Sequence, residues 1–88
     1  MKLHQIRYFL ALCEELDFTH AAERCSVAQS SFTRAIKALE EELGGALFHR
    51  EGGNTHLSRL GQKVKPILEQ AYSHAEGAKR HARDRMHL

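Results

Sequence analysis

The chain has 88 residues, 42% of them hydrophobic and none of them Trp, which is enough for one small domain and too little for two. Its 13 Lys and Arg against 11 Asp and Glu give a net charge of +2. That balance excludes a strongly polycationic or polyanionic chain, so the placing of the charges has to decide what it meets.

Residues Leu3 to about Glu15 read as a first helix. Leu3, Ile6, Leu10 and Cys13 recur at helical spacing, and Phe9 and Leu12 widen the stripe. Phe9 is expected in the core and Tyr8 half exposed. The opening M-K-L-H-Q-I-R is no signal peptide, because Arg7 and Glu14 break any apolar run. No stretch reaches membrane-spanning length, so the expected setting is soluble and cytoplasmic, with no membrane partner.

Asp17-Phe18-Thr19 ends one helix and starts another. Thr19 is expected as the N-cap, its hydroxyl accepting a free backbone N–H. A short helix then runs from His20 to Cys25, where Ala21 and Ala22 allow close approach of a neighbour. Ser26-Val27-Ala28 reads as a tight turn with Val27 tucked inward.

The stretch from Val27 to Leu43 follows. At 100° per residue, Phe32, Ile36, Leu39 and Leu43 fall in one wedge about 60° wide. Ser30, Thr33, Arg34 and Lys37 fall on the opposite side. The acids Glu40, Glu41 and Glu42 sit in the last part, where they oppose the helix dipole and leave the first half positive. Two readings fit this helix alone: a solvated amphipathic helix, or a helix end lowered toward phosphate. Short helix, tight turn and longer polar-faced helix is the layout of a helix-turn-helix.

Gly44-Gly45 ends that helix, with a glycine in the left-handed conformation closing the last turn. Gly52-Gly53 is a two-residue hairpin signal. Symmetric pairing sets Glu51 opposite Asn54, Arg50 opposite Thr55, His49 opposite His56 and Phe48 opposite Leu57. Phe48 and Leu57 then share an inward face. A two-stranded wing at this place makes the unit a winged helix-turn-helix.

Ser58 is expected to cap a last helix from Arg59 to about Met86. Gly61, Val64, Leu68, Ala71, Ala75, Ala78 and Ala82 recur along it at alternating spacings of three and four. A helix of this length reaches roughly 40 Å, more than so small a domain covers. A partner helix packed on the small residues would bury the seam, and Pro66 is expected to bend it. The expected organisation is a DNA-binding-type winged unit over 1–58 and a linker or dimerisation helix over 59–88. The fold class is therefore mainly α, with a two-stranded wing.

Other chemistry finds little footing. Cys13 and Cys25 sit on apolar helix faces without C-x-x-C spacing, as buried free thiols would. Of seven His, only His49 and His56 are adjacent, and no third ligand stands at a standard spacing, so no metal is expected. A charge on the wing that follows pH is the more plausible use of that pair. No nucleophile motif, phosphate loop or carboxylate pair in a cleft is present, so neither an enzyme nor a cofactor is expected. The positive charge is regional. From Phe18 to Leu39 stand Arg24, Arg34 and Lys37 against Glu23; from His49 to Lys65 stand Arg50, Arg59, Lys63 and Lys65 against Glu51.

Five blocks in order, L-x-Q-I-R-Y-F at Leu3, F-T-x-A-A-E at Phe18, V-A-Q-S-S-F-T-R-A-I-K-A-L-E-E-E-L-G at Val27, L-F-x-R at Leu47 and L-S-R-L-G at Leu57, carry a resemblance. Over nearly its whole length the chain resembles the N-terminal DNA-binding domain of a LysR-type transcriptional regulator. The resemblance implies a second helix in the major groove of double-stranded DNA, a wing on the backbone or minor groove, and an antiparallel homodimer through the linker helix. It implies a tetramer as a further assembly of a full-length protein, whose C-terminal effector-binding domain this chain lacks. Two readings fit, a longer protein cut at the linker or a naturally short one, and the end inside a helical pattern favours the first.

Carried over residue by residue, base reading falls on Gln29, Ser30, Ser31, Thr33 and Arg34. Arg34 would pair bidentately with guanine and Gln29 with adenine. Backbone contacts fall on Thr19, Arg24, Lys37, Arg50, His56 and Ser58, and dimer contacts on Val64, Leu68, Ala71, Ala75, Ala78 and Ala82. The chain departs from the family at Ala28, where a Ser or Thr cap is usual. Ser26 and Gln29 could form a capping box that shifts the helix start by two residues. Ser30 replaces a frequent Pro and Phe32 a frequent Leu, and Gly53 and Asn54 stand where the wing is commonly basic. The alternative is a protein-interaction or dimerisation module without DNA specificity of its own. A docking face would usually carry an apolar anchor, which the Ser30, Arg34 and Lys37 face lacks.

Overall fold

The computed structural model describes residues 1–86. In chain order the elements are α1 (Leu3–Glu15), α2 (Phe18–Arg24), α3 (Gln29–Leu43), β1 (Phe48–Glu51), β2 (Asn54–Leu57) and α4 (Arg59–Met86). The first three helices and the base of the hairpin share one core. Phe9, Leu12, Phe32, Ile36, Leu39 and Leu47 are its fully buried side chains. The expected winged helix-turn-helix is the observed one.

Tyr8 departs from the half-exposed position expected of it. It is 7% exposed, and its ring stacks on Phe32 with centroids 5.1 Å apart. α3 crosses over the face of α1 that carries Tyr8, a tertiary contact that spacing within α1 cannot reveal.

α2 begins two residues earlier than residue chemistry suggested. Asp17, not Thr19, is its N-cap, and the Asp17 carboxylate accepts the His20 N–H at 2.8 Å. Both residue types cap well. Placing Asp17 outside the helix lets Phe18 turn inward, its ring edge-on to Phe32 at 6.1 Å. The capping box at the start of α3 is not formed either. Ser26 lies in the left-handed region at φ 59°, and Ala28 stands at the N-cap with no side-chain hydrogen bond. α3 thus starts at Gln29 uncapped, and its far end closes on Gly44 at φ 84°.

The hairpin has the expected register, Phe48↔Leu57, His49↔His56, Arg50↔Thr55 and Glu51↔Asn54. One of the three acids at the end of α3 explains how the hairpin is held. The Glu40 carboxylate accepts the backbone N–H of Leu47 at 2.6 Å and of Phe48 at 3.4 Å. It therefore ties the wing to the third helix.

Ser58 joins the hairpin to α4. Its hydroxyl donates to the Ala46 carbonyl at 2.6 Å and accepts the Gly61 N–H at 2.9 Å. Gly61 lies so close to the Leu47 carbonyl oxygen that a Cβ there would collide with it. The core continues into α4: Leu68 is buried, and Val64 and Tyr72 pack against the cluster. Val64 and Leu68, which spacing assigned to the dimer seam, are thus part of the chain's own core. The first turns of α4 lie against α1 and β2 rather than in solvent. Beyond them Ala71, Ala78 and Ala82 are exposed, Ala75 is half-buried, and Ile67 is left 64% exposed. Cys25 is buried and Cys13 half-buried, both free, as expected of apolar-face thiols. Burial raises both thiol pKa values, that of Cys13 to about 11.

Candidate nucleic-acid interface

The outer face of α3 is built by what lies behind it. Phe32, Ala35, Ile36 and Leu39 are buried. That anchoring turns Gln29, Ser30, Ser31, Arg34 and Lys37 to solvent, with Thr33 half-buried beside them. Among the described residues neither Arg34 nor Lys37 has a carboxylate partner.

Two of the three acids at the end of α3 are engaged elsewhere, while Glu41 stays exposed one turn beyond Lys37. Glu40 holds the hairpin, as above. Glu42 takes the Met1 amine at 2.7 Å. Glu14 and Glu15 take Arg24 at 3.0 and 3.2 Å. The hydrogen bonds that Arg24 donates to these two carboxylates, Glu14 first, push its guanidinium pKa up. Arg24, expected on the DNA backbone, is therefore an intramolecular partner of α1. Its charge is already answered before any phosphate arrives.

Arg50 is placed differently. Its guanidinium lies 3.9 Å from the centroid of the Phe18 ring, on the inward side of the wing. A cation over an aromatic face is held by the ring quadrupole. Two open crevices flank it. One, of about 270 Å³, is lined by Thr33, Lys37, Arg50 and the hairpin-bound Glu40 over an apolar floor of Phe18, Ile36 and Phe48. The other, of about 200 Å³, is lined by Thr19, Gln29, Arg50, Gly53 and Thr55, with the capping residue Asp17 and Phe18 beside them. Three cation or hydroxyl donors thus converge where α3 meets the wing. The arrangement suits a phosphate oxygen better than an apolar ligand.

The remaining expected residues divide. His56 and His49 are exposed across the hairpin from one another, ring centroids 5.7 Å apart. Among the described residues no group of three or more His, Cys, Asp or Glu could hold a metal ion. Thr19 donates its hydroxyl hydrogen to the Gln29 side-chain carbonyl at 2.9 Å. Ser58, expected on the DNA backbone, is 6% exposed, and its hydroxyl is engaged on both sides within the chain. Phe18 as the seat of Arg50 was missed in the sequence. The F-T and L-F-x-R blocks contain both residues, but only the folded chain sets one over the other.

A family model for bacterial regulatory helix-turn-helix proteins of the lysR family matches residues 3–62. The chain belongs to the LysR family. Among its LysR-family relatives, YwqM of Bacillus subtilis (strain 168), an uncharacterized HTH-type transcriptional regulator, is 38% identical over 79 residues, covering 90% of this chain and 27% of that protein. The regulator BudR of Klebsiella aerogenes is 33% identical over 87 residues, 91% of this chain and 61% of that protein. This LysR-family chain also superposes on the CbnR DNA-binding domain solved in complex with DNA, at TM-score 0.88 and 28% identity. That match covers 98% of this chain and 99% of the other. Full-length OxyR C199D of Pseudomonas aeruginosa gives TM-score 0.90 and 32% identity over 96% of this chain and 28% of that one. The chain spans between 21% and 27% of the length of three curated relatives, YwqM, IlvR of Caulobacter vibrioides and EstR of Acinetobacter baylyi. All are named transcriptional regulators, and no helix among the described residues is long and apolar enough to cross a membrane.

Proposed function

We propose that this LysR-family chain is a sequence-specific reader of double-stranded DNA in a transcriptional regulator. It binds an interrupted palindrome as a homodimer, with α3 in the major groove and the wing along the backbone. One observation carries the reading: Arg34 and Lys37 stand exposed on the outer face of α3 with no carboxylate partner among the described residues, while Glu40 is tied to the hairpin and Glu42 to the Met1 amine. Arg34, with Gln29, Ser30, Ser31 and Thr33, meets base edges. Lys37, Arg50 and His56 meet phosphate, which sets register and carries little sequence information. The CbnR domain of the same fold was solved on DNA, which supports the same use of this face.

The dimer forms along the outer part of α4, through Ile67, Ala71, Ala75, Ala78 and Ala82. Small residues there let a second helix approach closely, and the 54 Å long axis of the molecule leaves that part of the rod beyond the core. The protein works in the cytoplasm, where the DNA is, and performs no reaction of its own. A protein-docking module would need an apolar anchor on the outer face of α3, and none stands there.

Selection of bound sites from random duplex DNA tests the reading. Two half-sites in inverted repeat are expected, with affinity falling steeply as salt rises. A selection without enrichment overturns DNA recognition. A monomer mass by light scattering overturns the dimer.

A further inference from the structure

Thr19 and Gln29 stand ten residues apart in the chain and meet at the junction of α2 and α3. The Thr19 hydroxyl has one hydrogen, and that hydrogen goes to the Gln29 Oε1 at 2.9 Å. Both residues are exposed, and both line the crevice that Arg50 closes from the wing side.

Two consequences follow from donor and acceptor counting. Phosphate oxygens only accept. A hydroxyl whose single hydrogen is given to Gln29 has none for the DNA backbone, so Thr19 is not a phosphate contact while this bond holds. The second concerns Gln29. A glutamine pairs bidentately with adenine by donating from Nε2 to N7 and accepting at Oε1 from N6. Here Oε1 is held toward Thr19 of α2 with one of its two lone pairs taken, which favours Nε2 as the outward group. An outward donor matches best an edge without a competing donor, the N7 and O6 of guanine or the O4 of thymine; on adenine it reaches N7 alone and leaves the N6 donor unanswered.

We propose that Thr19 is a specificity-determining positioning residue: by holding the Gln29 amide carbonyl it makes Gln29 read an acceptor edge, guanine or thymine, instead of adenine. This rests on α3 lying in the major groove, as proposed above. It reassigns Thr19 from the DNA backbone to the base-reading apparatus, acting through Gln29 rather than by touching a base.

The test is selection from random duplex DNA with the chain itself and with Gln29→Ala, Thr19→Val and Thr19→Ser. Gln29→Ala identifies the base pair that Gln29 reads, as the position whose preference it flattens. Guanine or thymine is expected there for the unaltered chain. Thr19→Val keeps the branched shape and removes the hydroxyl; it is expected to move that one position toward adenine by roughly three- to tenfold, the worth of one hydrogen bond. The salt dependence, the other positions and the thermal unfolding curve should not change. Thr19→Ser should behave as the unaltered chain.

Adenine at that position in the unaltered chain, or an unchanged profile for Thr19→Val, overturns the proposal. So does a uniform loss of affinity with a shallower salt dependence, which would make Thr19 a phosphate contact. These three outcomes leave DNA binding standing. A chain that enriches no DNA at all instead overturns the DNA-binding reading, and this proposal falls with it.

Discussion

The Arg50 guanidinium lies 3.9 Å above the centre of the Phe18 ring. Phe18 opens α2 and Arg50 lies on the first strand of the wing, so one contact joins the helix-turn-helix to the hairpin at the protein surface. The ring restricts a long cationic side chain that would otherwise sample many rotamers, and ordering it beforehand lowers the entropy cost of a later phosphate contact. Arg50→Ala is therefore expected to weaken DNA binding and to lower the slope of log affinity against log salt by about one. Phe18→Leu keeps the charge and should keep the slope, while losing roughly three- to tenfold in affinity, the worth of an exposed cation–π contact of about 1 kcal/mol. Fluorescence anisotropy with a labelled site over a salt series separates the two.

Arg34, Lys37 and Arg24 should give three different signatures. Arg34→Ala is expected to relax preference at one or two base pairs by about 1–3 kcal/mol. Lys37→Ala should weaken all sites evenly. Arg24→Ala should leave both site profile and salt slope unchanged, because its charge is answered by Glu14 and Glu15. Selected-site profiles at two salt concentrations check all three. A changed slope for Arg24→Ala would sink its placement as an α1 partner.

The start of α3 offers a gain. Ala28 has the extended backbone of an N-cap, φ −64° and ψ 144°, and no side-chain oxygen. Ala28→Ser should add a hydrogen bond to a free N–H of the first turn and raise stability by about 1 kcal/mol. Urea unfolding followed by circular dichroism reads it. No rise in the midpoint would mean that the first turn of α3 is already satisfied.

Gly61 offers a loss. A Cβ there meets the Leu47 carbonyl oxygen and lies 2.7 Å from the Leu57 Cδ2. Gly61→Ala should cost about 1–3 kcal/mol, the usual range for overpacking, although alanine is the better helix former. A neutral or stabilised variant in the same urea experiment would contradict the close approach of α4 to Leu47.

Cys13 makes stability depend on alkaline pH. Burial lifts its thiol from 9.0 to about 11, because the folded environment disfavours the thiolate. The unfolded chain then releases this proton earlier than the folded one. The contribution is fully present below pH 9 and is lost as pH rises from about 9 to about 11. Cys13→Ala should flatten that part of the stability–pH curve, measured by urea midpoints across the window. Iodoacetamide should also alkylate the folded thiol more slowly than the unfolded one at pH 9.

Local signals carried most of the fold. The two glycines at 52 and 53 fix the hairpin register by symmetry, and the left-handed turn at Gly44 follows from a glycine after a periodic run. The errors lie where two local solutions have similar energy and a distant contact chooses. Asp17 and Thr19 both cap helices, and the burial of Phe18 on Phe32 selects Asp17. Tyr8 is buried by Phe32, which belongs to another helix. Val64 and Leu68 share the spacing of the alanines beyond them, and only docking of α4 on α1 separates core from seam. The site follows the same pattern. The exposed face of α3 was legible from its period. The removal of Arg24 by Glu14 and Glu15, the commitment of Ser58, and the pairings of Thr19 with Gln29 and Phe18 with Arg50 all depend on which elements meet.

The hydroxyl of Ser58 has a mechanical meaning. It fastens the first turn of α4 to the Ala46 carbonyl at the foot of the hairpin, with Gly61 pressed against Leu47 just beyond. Val64, Leu68 and Tyr72 hold the helix on the core beyond that joint, so the free arm begins near Ser73 and reaches roughly 21 Å to Met86, and each degree of tilt displaces its far end by about 0.4 Å. Two such arms joined along their length would set the distance between the two reading helices through how firmly α4 is seated between Ser58 and Tyr72.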